Sequence, residues 1–221
     1  MVACECTDVH QRRRLVLTGG PGAGKTALLE LIRQSFCSHV KVLPEAAGVV
    51  FGGGFPREDD PACRRAAQRA IFYVQRELEN AGDSHNPAIV LCDRGTVDGL
   101  AYWPGPAEEY WSSLGTTLET QLGRYDAVIH LRTPPAEHGY NNQNPLRTEN
   151  AAVAADIDGR ILQAWERHPR DSSWSHPPSF STRPHGRSRS FAANCQTVVD
   201  ATWCRQSTSV TRNRVLSRLR A

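Results

Sequence analysis

The sequence predicts an α/β fold: a parallel sheet covered by helices on both faces. Three observations predict it. Short apolar runs alternate with segments of helical periodicity, the pattern of strand–helix–strand units. One run, Ala88-Ile89-Val90-Leu91-Cys92, is continuously apolar, as a parallel strand buried on both faces must be. Finally, Gly19 to Thr26 fit G-x-x-x-x-G-K-[ST] between a strand and a helix, a phosphate-binding loop in its required setting. This loop narrows the class to the P-loop NTPase three-layer fold.

The first element carries the loop. Leu15, Val16 and Leu17 form a short strand, and Leu28, Leu29, Leu31 and Ile32 recur at helical spacing after it. Between them stand Gly19, Gly20, Pro21, Gly22, Ala23, Gly24, Lys25 and Thr26. Glycines permit backbone angles that aim successive N–H groups at a polyphosphate, and the helix adds its partly positive N-terminus. Lys25 is placed to reach the β- and γ-phosphates, and the Thr26 hydroxyl to ligate Mg²⁺. Of 26 Lys and Arg residues only Lys25 and Lys41 are lysines. A lysine at this position is therefore informative.

Val40, Val42 and Leu43 suggest a second strand ending in Pro44-Glu45-Ala46-Ala47, and the glycines at 48 and 52–54 then predict a loop able to close over a ligand. Asp60-Pro61 is a cap with proline at the first helical position. Ala66, Ala67, Ala70, Ile71, Val74 and Leu78 mark one face of a long helix stopping near Gly82. The Ala88–Cys92 strand follows and ends at Asp93-Arg94-Gly95. Looser helical patches span Glu108 to Leu122, and Tyr125 to Leu131 form the next strand. Residues 132–147, rich in Pro and Asn, predict a surface loop. Helical character returns over Thr148 to Arg167, with Val153, Ile157, Ile161, Leu162 and Trp165 apolar.

Asp93 ends its strand at the carboxyl edge of the sheet, where open α/β folds bind ligands and where a Mg²⁺-associated carboxylate belongs. Motor ATPases place a water-activating Glu after this Asp; here Arg94 follows, which favours phosphoryl transfer or binding over a motor. Glu45, also at a strand end, is a candidate to hold or deprotonate an acceptor hydroxyl. Asp98 and Tyr102, one helical turn apart, are candidates to line the same cleft. Arg147 follows the Pro/Asn-rich loop and is a candidate lid arginine acting on transition-state charge. The histidines show no pairing that suggests a metal or a triad.

The net charge of +3 is uneven. Up to Arg170 there are 18 basic and 21 acidic residues, a balance of −3; from Asp171 onward, 8 and 2 give +6. A nucleic-acid reading rests on that tail alone. No apolar run is long enough to span a bilayer, and the first residues lack the apolar core of a secretory signal. Seven cysteines without metal-ligand spacing predict reduced thiols in a cytosolic protein.

The ordered motifs GGPGAGKT, PEAA, DRGxxDGLAY, YDAVIHL and the later RTE resemble the AAA_28 type of P-loop ATPase domain. That group is similar to the nucleoside-kinase-like domain of NadR proteins and to a translocation-defect protein. The resemblance runs from about Arg13 to Arg170. It implies ATP or GTP with Mg²⁺ at Gly19–Thr26 and Asp93, and fixes no substrate. The family usually reads PEAAR, whereas Gly48 takes the arginine's place here. With no Asn-Lys-x-Asp in the chain, ATP is the default nucleotide.

The expected organisation is an N-terminal arm over 1–12, a P-loop NTPase domain over 13–170 and a basic Ser/Arg-rich tail over 171–221. Seven of the twenty residues from Asp171 to Ser190 are serine, and this composition predicts disorder and an incomplete domain. It also predicts a shifted reading frame near Arg170. Serine codons TCN, read one base earlier, give NTC, which encodes only Phe, Leu, Ile or Val. Residues 170–196 so re-read give an apolar strand, a Thr cap and an amphipathic helix. Three functions are in play. The first is Mg-ATP hydrolysis or phosphoryl transfer to a small acceptor, the second a nucleotide-binding regulatory protein with little turnover. The third, binding nucleic acid through the tail, predicts salt-sensitive affinity lost with residues 171–221.

Overall fold

The protein is described here by a computed structural model, in which residues 11–85, 87–132, 151–169 and 171–174 are placed. Five parallel strands, β1 (Arg13–Thr18), β2 (Val40–Leu43), β3 (Ile89–Asp93), β4 (Ala127–Leu131) and β5 (Asp171–Trp174), form one sheet in the order β2-β3-β1-β4-β5. The P-loop strand is therefore central, and Leu17 pairs with Asp93 on its neighbour. That register brings the loop after β1 and the carboxylate ending β3 to the same edge.

Side-chain alternation splits the core in two. On one face Leu15, Leu17, Ile89, Leu91 and Leu131 pack with Leu29 of α1 (Lys25–Ser35). On the other, Val16, Val90, Cys92 and Val128 pack with Phe72 of α3 (Pro61–Gly82), Tyr110 and Trp111 of α4 (Ala107–Ser113) and Leu122 of α5 (Leu118–Leu122). Ile157, Ile161 and Trp165 of α6 (Ala151–Trp165) complete this second layer. They recur every fourth residue, and Val153, one step earlier in the same series, is 43% exposed.

The long helix begins and ends where its signals place it. The Asp60 carboxylate accepts from the Cys63 N–H at 2.9 Å, with Pro61 opening the helix. Gly82 allows the Leu43 side chain to pack against its Cα.

Two expectations are corrected. Glycines at 48 and 52 predicted a loop, yet Ala46–Gly52 is a helix, α2, because Ala46 and Val50, four apart, are buried and α2 packs on α3. Tertiary burial here outweighs a glycine cost of about 1 kcal/mol. The written tail was also expected to leave the sheet without its last strand. Instead Asp171–Trp174 pairs with β4 from Val128↔Asp171 to Leu131↔Trp174. Backbone pairing does not depend on side-chain type, so β4 can hold a strand of this sequence.

Candidate functional site

The loop after β1 is cradle-shaped because its glycines allow it. Gly19, Gly22 and Gly24 have φ of 133°, 82° and 82°. Gly19 is also sterically obligatory: a Cβ there would lie 2.0 Å from the Leu131 carbonyl oxygen. Gly24 caps α1 without a side-chain hydrogen bond, and the first turn holds no acidic residue. The helix thus presents its first N–H groups and positive end to the loop with no acidic side chain of its own first turn against them.

Lys25 is buried, and its ammonium donates to the carbonyls of Gly19 at 2.7 Å and Gly20 at 2.9 Å. Burial, with Arg94 nearby, lowers its pKa to about 7, against the pull of Glu45, Asp93 and Asp98. Thr26 is exposed beside it. Asp93 is pushed the other way, to about 6, by burial and by the Glu45 charge. Its Oδ1 is buried with no hydrogen-bond partner. A buried, unpaired carboxylate oxygen is costly and stands where the sequence placed a cation-associated acid.

Arg94 is the sole non-glycine residue at positive φ among the described residues, at 69°. The left-handed turn costs on the order of 1 kcal/mol and lets two groups reach Asp98. The Arg94 guanidinium donates through Nη1 at 3.3 Å, and the Gly95 N–H donates at 2.9 Å. Arg94 Nε also donates to Glu45 at 2.6 Å, and its guanidinium lies 5.7 Å from the centre of the Tyr102 ring. Gly95 leaves room for the Trp165 ring, which a Cβ would meet at 2.8 Å. Asp98 further accepts from the Thr18 hydroxyl and from the Trp165 indole at 3.1 Å.

The structure thus brings Lys25, Glu45, Asp93, Arg94, Asp98 and Tyr102 into one neighbourhood. Arg147 lies outside the described residues. A group the sequence did not single out stands behind the loop. Asp158 accepts from the Gly20 N–H at 2.9 Å, bonds His130 Nε2 at 2.8 Å and accepts from Arg132 Nε at 2.9 Å. His130, unpaired in the sequence reading, has a carboxylate partner after all. The available signal was an Asp beside Ile157 on the apolar face of a helix.

A central parallel strand, a glycine-built cradle at its end and a carboxylate on the adjacent strand define a P-loop fold of the kind that binds nucleotides. The chain matches the family model AAA_28, an AAA domain, over residues 14–176 and belongs to that family. Among solved structures it is similar to a deoxyadenosine kinase from M. mycoides with bound dATP. The TM-score is 0.55 and the identity 11%, covering 84% of this chain and 98% of that one. At that identity the likeness is one of fold. No curated protein matches the sequence. No helix among the described residues is long and apolar enough to cross a membrane.

Proposed function

We propose that this protein is a cytosolic P-loop kinase that binds Mg-ATP at Gly19–Thr26 and transfers the γ-phosphoryl group to a small acceptor. The observation that carries the reading is the buried, unpartnered Asp93 Oδ1 beside the loop, followed by Arg94 rather than a water-activating Glu. Asp93 and the Thr26 hydroxyl fit a Mg²⁺ ion, which would neutralise charge on the phosphates. Among the described residues no three His, Cys, Asp or Glu groups converge on a metal site. A cation here would therefore take the rest of its coordination from phosphate and water.

In this reading Lys25 leaves the Gly19 and Gly20 carbonyls for the phosphates when nucleotide enters. An acceptor hydroxyl oxygen bonds to Pγ as the bond from Pγ to the β,γ-bridging oxygen breaks, and ADP departs. Glu45 is the candidate to receive the hydroxyl proton, held in place by Arg94 at 2.6 Å. Arg147 is proposed to add positive charge over the phosphates.

Lys25→Ala is expected to weaken ATP binding roughly a hundredfold, through loss of charge-assisted hydrogen bonds. Unchanged affinity by calorimetry sinks the nucleotide reading. An acceptor screen followed by ADP formation tests the transfer step. ADP released regardless of acceptor identifies a hydrolase, and tight ATP binding with no product identifies a regulatory protein.

A further inference from the structure

The peptide joining Gly19 to Gly20 is held from both sides. Its N–H, on Gly20, donates to Asp158 Oδ1 at 2.9 Å, and its carbonyl, on Gly19, accepts from Lys25 Nζ at 2.7 Å. A trans peptide is planar, so its N–H and C=O point in opposite directions. Fixing one therefore aims the other. The link also joins two glycines, which tolerate positive and negative φ alike, so backbone preference alone does not hold this peptide in one orientation. A flip would turn the Gly19 carbonyl away from Lys25.

We infer that Asp158 is a positioning residue that parks Lys25 on its own loop by clamping the Gly19–Gly20 peptide in one orientation. The clamp is rigid. Asp158 is 2% exposed, and its carboxylate is gripped by His130 and Arg132 at 2.8 and 2.9 Å. Those two residues flank Leu131, the residue whose carbonyl abuts Gly19. Helix α6 and the end of β4 thus jointly set the resting place of Lys25, while Asp158 itself reaches the loop through a single backbone N–H. The inference rests on reading the loop as a phosphate site, because parking matters only if Lys25 has a ligand to leave for.

Lys25 and Lys41 are the only lysines in the chain, and Lys41 is exposed on β2, so the protein carries its own reference. Trace acetylation of the nucleotide-free full chain, read by peptide mass spectrometry, gives the Lys25/Lys41 labelling ratio. Asp158→Ala is expected to raise that ratio about fivefold, the scale of one lost hydrogen bond. Asp158→Asn keeps an oxygen acceptor for the Gly20 N–H and is expected to leave the ratio close to wild type. An unchanged ratio in Asp158→Ala, or an equal rise in both variants, overturns the inference. Should Asp158→Ala not fold, Arg132→Ala loosens the same clamp from a half-exposed side chain. Its expected rise is about twofold, and no rise is again fatal. Mg-ATP added to wild type separates the two readings. Failure to protect Lys25 with the variant effects intact removes the phosphate reading alone; protection without variant effects removes the clamp alone.

Discussion

Asp93 and Asp98 are five residues apart at one edge of the sheet, and their surroundings are opposite. Asp98 accepts from the Thr18 hydroxyl, the Gly95 N–H, the Trp165 indole and the Arg94 guanidinium. Asp93 has a buried oxygen with no partner, and burial raises its pKa to about 6. A satisfied buried carboxylate holds a scaffold together. An unsatisfied one costs the fold stability and, in the function proposed above, is where a cation supplies what the protein does not. The comparison separates the machinery of the site from its frame, although both residues come from one short motif.

The largest effect expected is at the frame. Asp98→Ala removes the partner of four donors, including the Arg94 guanidinium, whose side chain is only 13% exposed. Arg94 keeps Glu45 as an ion-pair partner, but the Thr18 hydroxyl, the Gly95 N–H and the Trp165 indole lose theirs inside the protein. That loss is expected to cost about 3–5 kcal/mol in all, a large share of a net stability of about 5–15 kcal/mol. Chemical denaturation measures it. A loss below about 1 kcal/mol would mean that Asp98 is no more structural than Asp93.

Asp93→Asn is expected to act in the reverse sense. Replacing a desolvated charge by a neutral amide should stabilise the ligand-free protein, by on the order of 1–3 kcal/mol given the raised pKa. The same change should abolish Mg-dependent nucleotide binding. A destabilised Asp93→Asn would erase the contrast between the two carboxylates.

Much of this was legible in the sequence, and the exceptions have physical causes. Lys25, Asp93, Arg94 and Glu45 each sit at a strand or helix end marked by local signals, so spacing sufficed to find them. Asp158 meets Gly20 across 138 residues, a contact that no local pattern encodes. Helix α2 was hidden by glycines that its burial against α3 overrides. Strand β5 was hidden because serine-rich composition argues against a strand, whereas the β4 edge pairs through backbone alone. The proposed frame shift near Arg170 is tested by sequencing the gene: stop codons soon after that point in the shifted frame eliminate it, and an open shifted frame supports it.

The smallest expected effect is a pH dependence, and its sign follows from Asp93. The folded-state pKa of about 6 lies above the ordinary aspartate value of 3.8, so between those values the folded state binds more protons than the unfolded one. Stability contributed by protonated Asp93 is present below pH about 4 and is lost as pH rises through about 6. Other carboxylates titrate in the same window, so the readout is the difference between wild type and Asp93→Asn. Wild type should lose ground to the variant across pH 4 to 6 and run parallel to it above. Nucleotide affinity should move the other way, strengthening with Mg²⁺ as Asp93 ionises. A ligand-free stability difference that stays flat across that window would show that Asp93 is not the desolvated group, and the orphaned oxygen would lose its meaning as a site.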